Sequence, residues 1–81
     1  MFLIVEVAET TLRYDREVKV PRYAAAGVPE VWIEDLQKDL LLVYRDPEGH
    51  SYRTSLTLKR EESIAVLALP DVTFKVLDFI G

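Results

Sequence analysis

The stretch FLIVEVAETTLRYDREVKVPRYAAAGVPEVWIED, Phe2–Asp35, decides how this chain folds. Phe2–Val7 is a continuous apolar run of strand formers, too short for a helix and apolar on both faces. That pattern belongs to a strand inside a sheet covered on both sides. Ala8–Tyr14 reads as a polar loop. Asp15 is placed to cap a helix running to roughly Ala26, with Gly27 as its stop and Pro29 just beyond. Pro21 falls inside that helix and takes away the bond to Glu17, which predicts a kink or a late start. Lys19 and Tyr23, four residues apart, share one helix face. Val28–Glu34 is the next strand, and strand, helix and strand within about thirty residues favour a parallel crossover.

Outward from this unit the pattern turns antiparallel. Leu40–Arg45 follows a turn around Gln37, and Tyr52–Leu58 follows the turn DPEGH at 46–50. Tyr52, Thr54, Leu56 and Leu58 alternate with Arg53, Ser55, Thr57 and Lys59, giving one dry and one wet face. Ile64–Leu69 and Val72–Val76 are two further short strands around Pro70, and Leu77–Ile80 closes the chain with side chains suited to docking. The fold class is therefore α+β: a strand–helix–strand crossover followed by antiparallel hairpin strands, in one domain over residues 1–81.

Composition narrows the function. At 81 residues the chain buries only about 60–65% of the surface its unfolded form exposes, so its stability margin is small. It is 49% hydrophobic and 30% charged, a globular and not a disordered composition. There is no cysteine, which excludes disulfides, thiolate zinc sites and Cys nucleophiles and fits a cytoplasmic protein. The net charge is −4, and the ten basic residues are spread along the chain, which counts against tight DNA binding by the chain alone. The first residues do not form a signal peptide, and no segment approaches the length of a membrane span.

Taken one at a time, the polar residues have plain structural readings. Glu6 is a strand-end carboxylate facing water or pairing with Lys19. Lys19 by itself is a solvated helix charge, and DREVK, with Asp15, Arg16, Glu17 and Lys19 of mixed sign, is a solvated face. Tyr23 and Trp32 are core or interface aromatics. His50 sits in a turn with no second histidine. No Gly-rich phosphate loop and no serine–histidine pairing are present.

The residues together resemble a known family. The apolar strand, EVA, the stretch TTLRYDREVKVPRYAAAGVPEVWIEDL, the hairpin with VYRDP and YR, and LALPDV are similar to the C-terminal half of the Uma family, restriction endonucleases of the PD-(D/E)XK nuclease superfamily. The resemblance runs from about Phe2 to Ile80, and YDREVK…YAAAGVPEVWIED is its most specific part. It implies a restriction-endonuclease-like partial core, Mg²⁺-dependent cleavage of phosphodiester bonds, and DNA as partner. It further implies Glu6 as metal-binding carboxylate, the carbonyl of Val7 as backbone ligand, and Lys19 as a catalytic lysine that has migrated from the strand to the helix. The family's metal-binding Asp is expected six positions before Glu6, one place upstream of Met1. The chain is thus expected to be N-terminally truncated and inactive or incomplete on its own.

Two readings follow. One is a metal-dependent nuclease, completed by a second copy or by a partner chain that supplies the Asp. The other is a non-catalytic oligomeric interaction module. Mg²⁺ generally needs two carboxylates plus substrate oxygens. Besides Glu6 only Glu9 is near, and strand alternation points it the other way, so Mg²⁺ is expected to bind weakly or not at all. The apolar first strand, lacking its sheet neighbour, predicts a homodimer or higher oligomer built on it or on the hairpin strands.

Overall fold

The computed structural model describes residues 2–8 and 12–76. A four-stranded mixed sheet, in the order β1-β2-β3-β4, is made of β1 (Ile4–Ala8), β2 (Glu30–Asp35), β3 (Leu40–Glu48) and β4 (Ser51–Lys59). A second sheet is the hairpin of β5 (Ser63–Val66) and β6 (Leu69–Lys75). The α+β expectation holds, including the parallel pairing of β1 with β2, in which Ile4 lies opposite Val31 and Ala8 opposite Asp35. All remaining pairings are antiparallel. Glu9 and the Leu77–Ile80 tail lie outside the described residues.

The crossover from β1 to β2 differs from the sequence reading. The helix does not start with Asp15 as cap: α1 (Leu12–Tyr14) precedes it, a π-helical turn spans Asp15–Lys19, and α2 (Val20–Ala25) follows. Pro21 explains the irregularity. It has no N–H to offer Glu17, and its ring crowds the carbonyl that an α-helix would place there. The chain instead widens by one residue, and the Val20 N–H bonds to the Asp15 carbonyl. Further on, the helix ends as expected at Gly27 (φ 76°), a conformation that costs glycine nothing. Val28 N–H bonds to Tyr23 O (3.0 Å) and Gly27 N–H to Ala24 O (2.9 Å), the paired bonds of a Schellman motif. Because Val28 closes that motif, β2 begins at Glu30 and not at Val28.

Other boundaries shift for local reasons. The Asp35 carboxylate accepts the N–H groups of Gln37 (3.1 Å) and Lys38 (3.3 Å), which fixes the β2–β3 turn. β3 continues through Pro47 to Glu48, so the turn tightens to Gly49 and His50. In the second sheet Val66 pairs with Leu69, so the reversal falls at Leu67 and Ala68 and Pro70 lies within β6.

Strand alternation divides the core into two layers. On one face the helix packs Val20 and Tyr23, with Val28, against Ile4, Ala8, Val31, Ile33, Leu42 and Tyr44. On the other, the β5–β6 hairpin sets Ile64 and Val66 against Trp32, Leu41 and Val43, with Val76. This second layer is pinned by a carboxylate. Glu30 is wholly buried, and its Oε2 accepts Trp32 Nε1–H (2.8 Å) and Arg45 Nε–H (2.6 Å), while its Oε1 accepts the Leu67 N–H (2.8 Å). Arg45 extends the network by donating through Nη2 to the Ala65 carbonyl (2.6 Å). One buried ion pair thereby joins β2, β3 and the β5 end of the β5–β6 turn.

Two consequences are measurable. Arg45→Met leaves the Glu30 charge buried without its cation, a class of change costing about 3–5 kcal/mol, comparable with the whole stability of a small domain. Urea unfolding will show that loss, with Glu30→Gln added to Arg45→Met recovering part of it. Glu34, buried on the hairpin face opposite Leu41, is the second case: burial pushes its carboxyl above the ordinary 4.5. A folded value above the unfolded one means the contribution is fully favourable below 4.5 and is lost as pH rises through the folded value. Glu34→Gln therefore raises Tm at neutral pH, and thermal melts will show the gain vanish in acid.

Candidate functional site

β1 carries the site because it is an edge strand with two different faces. Among the described residues no strand pairs with its outer edge. Val5 and Val7 face the hairpin side, 42% and 57% exposed, while Ile4, Glu6 and Ala8 face the helix. The Ala8 carbonyl accepts the Leu36 N–H at 3.0 Å, toward β2. Backbone groups alternate along a strand, so the Val7 carbonyl looks out from the open edge.

The helix brings two side chains to Glu6. Lys19 Nζ lies 3.4 Å from Glu6 Oε2, and Tyr23 OH donates to Glu6 Oε1 at 2.6 Å. The same ammonium lies 3.4 Å from Asp15 Oδ1 and 6.0 Å from the centre of the Tyr14 ring. The Asp15 side chain is 3% exposed, Glu6 23% and Lys19 36%, so the cluster has a dry floor and an open mouth. The hydrogen bond to Glu6, then the one to Asp15, hold the Lys19 ammonium above its ordinary 10.5. Lys19 is thereby held as a cation at neutral pH. The hydrogen bond to Glu6, reinforced by burial, likewise raises the Tyr23 phenol above 10.0, so it stays a donor.

Glu6 and Lys19, both singled out from sequence, are thus in contact, and Val7 offers its carbonyl beside them. Asp15 and Tyr23 were missed as members. Asp15 looked like a helix cap and Tyr23 a core aromatic, yet the spacing Asp15–Lys19–Tyr23, four and four, was the available signal. Farther along the same sheet face, Arg16 and Lys38 line a groove with Asp35, Leu42 and Tyr44.

For a divalent cation the donors fit in kind and are few in number. A carboxylate and a carbonyl are the hard oxygens Mg²⁺ takes, and it keeps several waters when one or two carboxylates hold it. Among the described residues, no group of three or more His, Cys, Asp or Glu side chains could hold a metal. Also among them, no helix is long and apolar enough to cross a membrane.

A parallel edge strand with a carboxylate at its centre, crossing by a lysine-bearing helix to a second strand and then a hairpin, is a restriction-endonuclease-like arrangement. Comparison with protein families bears this out: the model of the Uma2 family, described as putative restriction endonuclease, matches residues 1–77, and the chain belongs to that family. Neither the curated proteins nor the solved structures gave a significant match.

Proposed function

We propose that this chain carries a half-site for metal-dependent cleavage of phosphodiester bonds in DNA, incomplete on its own. The Glu6–Lys19 contact across the parallel crossover carries the reading. It sets a carboxylate and a permanent cation side by side at an open sheet edge, in a chain of a restriction-endonuclease family. Glu6 and the Val7 carbonyl would hold Mg²⁺, with water and phosphate oxygens filling the other places. When bound, the metal polarises the phosphate and activates water.

The chain's own groups do the rest. Tyr23 fixes the Glu6 carboxylate through its 2.6 Å hydrogen bond, so one oxygen is oriented and the other faces Lys19. The Lys19 ammonium stands where negative charge on a phosphate would develop and would stabilise it in a partly dry setting. Arg16 and Lys38, in their groove on the same face, supply positive charge along a path for the nucleic-acid backbone. Among the described residues no second carboxylate stands at the β1 edge, and a second copy or a partner chain adding a strand there could supply one.

The alternative is a non-catalytic oligomeric interaction module, favoured by the same edge: Val5 and Val7 leave an apolar strip beside backbone that no described strand pairs. A nuclease assay on supercoiled and single-stranded DNA with Mg²⁺ or Mn²⁺ separates the readings. Under the half-site reading, metal-dependent cleavage appears only at concentrations where the chain associates, and both Glu6→Ala and Lys19→Ala abolish it. Absence of cleavage at every concentration would sink completion by a second copy and favour the module. Cleavage that survives both substitutions is a contaminant.

Association is a separate prediction. Light scattering at micromolar concentration will give a homodimer or larger species, and Val5→Lys, which puts a charge on the exposed strip, will give a monomer. A monomeric unsubstituted chain would defeat the edge-pairing idea.

A further inference from the structure

We infer that Asp15 is the positioning residue for Lys19: its buried carboxylate keeps the ammonium at the site when the charge of Glu6 is given to another cation. The geometry is specific. Lys19 stands between two carboxylates, 3.4 Å from each, one on the strand and one on its own helix four residues back. A lysine is a point charge on a flexible four-carbon stem. Held by Glu6 alone, it would swing into solvent as soon as a divalent cation neutralised that carboxylate. Asp15 gives it a second anchor that does not compete for the metal's place at the open edge, because Asp15 lies on the helix and is almost fully buried.

The π-helical turn makes this alignment. In a regular α-helix, residues at i, i+4 and i+8 drift by about 40° per step, so Asp15 and Tyr23 would stand about 80° apart around the axis. The extra residue in the Asp15–Lys19 turn underwinds the first step and offsets the drift of the second. Asp15, Lys19 and Tyr23 therefore share one side of the helix, where Lys19 meets Asp15 and Glu6 receives both Lys19 and Tyr23. Single π turns inside α-helices recur at functional sites. Pro21 keeps this one in place by refusing the α-helical bond that would replace it.

The kinetic importance of this anchor rests on the half-site reading, but the anchoring itself does not, and the test keeps them apart. The Lys19 ammonium signal and the inequivalence of its two Hε protons report whether the side chain is held, by NMR of the full 81-residue chain. Glu6→Gln removes the charge of Glu6 while keeping its shape. The expected result is a held Lys19 in Glu6→Gln, a released one in Glu6→Gln with Asp15→Asn, and at least partial retention with Asp15→Glu in place of Asn. A Lys19 already released in Glu6→Gln would overturn the proposal, and so would a Lys19 still held in the double variant. Asp15→Asn that lowers Tm but leaves Lys19 held in every background would make Asp15 merely structural and would also overturn it. If the double variant does not fold, the same readout moves to Asp15→Asn titrated with Mg²⁺: the metal releases Lys19 there and not in the unsubstituted chain. Mg²⁺ that fails to perturb Glu6 in the unsubstituted chain counts against the half-site reading, and the Glu6→Gln comparison still decides the role of Asp15.

Discussion

The buried carboxylate of Glu30 is the constraint on which the rest of this small structure depends. Moving an ionised carboxylate out of water costs several kcal/mol unless it is paired and hydrogen-bonded. Here both oxygens are used, by Arg45, the Trp32 indole and the Leu67 amide. Those donors come from β2 itself, from β3 and from the β5–β6 turn, so the charge is tolerated only when all three meet. A hydrophobic contact would let the hairpin slide over the sheet. The Glu30 network fixes where it sits, closes one face of β2 with Trp32 at its centre, and leaves that strand rigid. Among the described residues β1 is held in the sheet by β2 alone, so the placement of Glu6 inherits whatever order Glu30 imposes.

The helix adds the second requirement, that its chemistry face the right strand. A helix packed by Val20 and Tyr23 on Ile4, Val31 and Ile33 already has its approach to the sheet set by apolar contacts. Its polar line must then coincide with β1 rather than drift past it. Pro21 forbids the regular solution, and the π turn it enforces turns Asp15 toward the site. A local defect in hydrogen bonding and a gain in alignment have the same cause. Natural sequences tolerate such departures from ideal geometry mainly where a site benefits from them.

Most of the fold was legible because its signals are local. The Gly27 stop and the turn at Gln37 each state their structure within a few residues. The apolar run at Phe2–Val7 marks a strand, although that strand is Ile4–Ala8 and lies at an edge among the described residues, with Val5 and Val7 exposed, not covered on both sides. The alternation of Tyr52–Leu58 did not give one dry face: Leu56 is 39% exposed, and Tyr52 packs with the helix layer while Leu58 packs with the hairpin layer. The boundaries that moved did so under longer-range demands. Val28 was claimed by the helix end, and the last hairpin turned at Leu67 because that amide answers Glu30, thirty-seven residues away. The site was half legible. Glu6 and Lys19 could be paired through the family's pattern, whereas Asp15 is buried within a π turn that no propensity scale encodes. Asp15 in DREVK looks like any solvated acid until the helix is underwound.

The two faces of β1 carry different obligations, and this bears on what the chain can do. On the helix side Glu6 is already held by Tyr23 and Lys19, so its orientation needs no incoming group. On the hairpin side and along the edge, Val5, Val7 and the outward carbonyl of Val7 are the parts left unanswered among the described residues. Parallel strands are ordinarily covered on both faces and flanked on both sides. An added strand would therefore satisfy backbone and apolar surface first, and only then bring any carboxylate near Glu6. Affinity at this edge would come from sheet extension and chemistry from what the added strand carries. Under the half-site reading, binding and catalysis would be separable properties of one strand, a change at Val5 acting on the first and a change at Glu6 or Lys19 on the second.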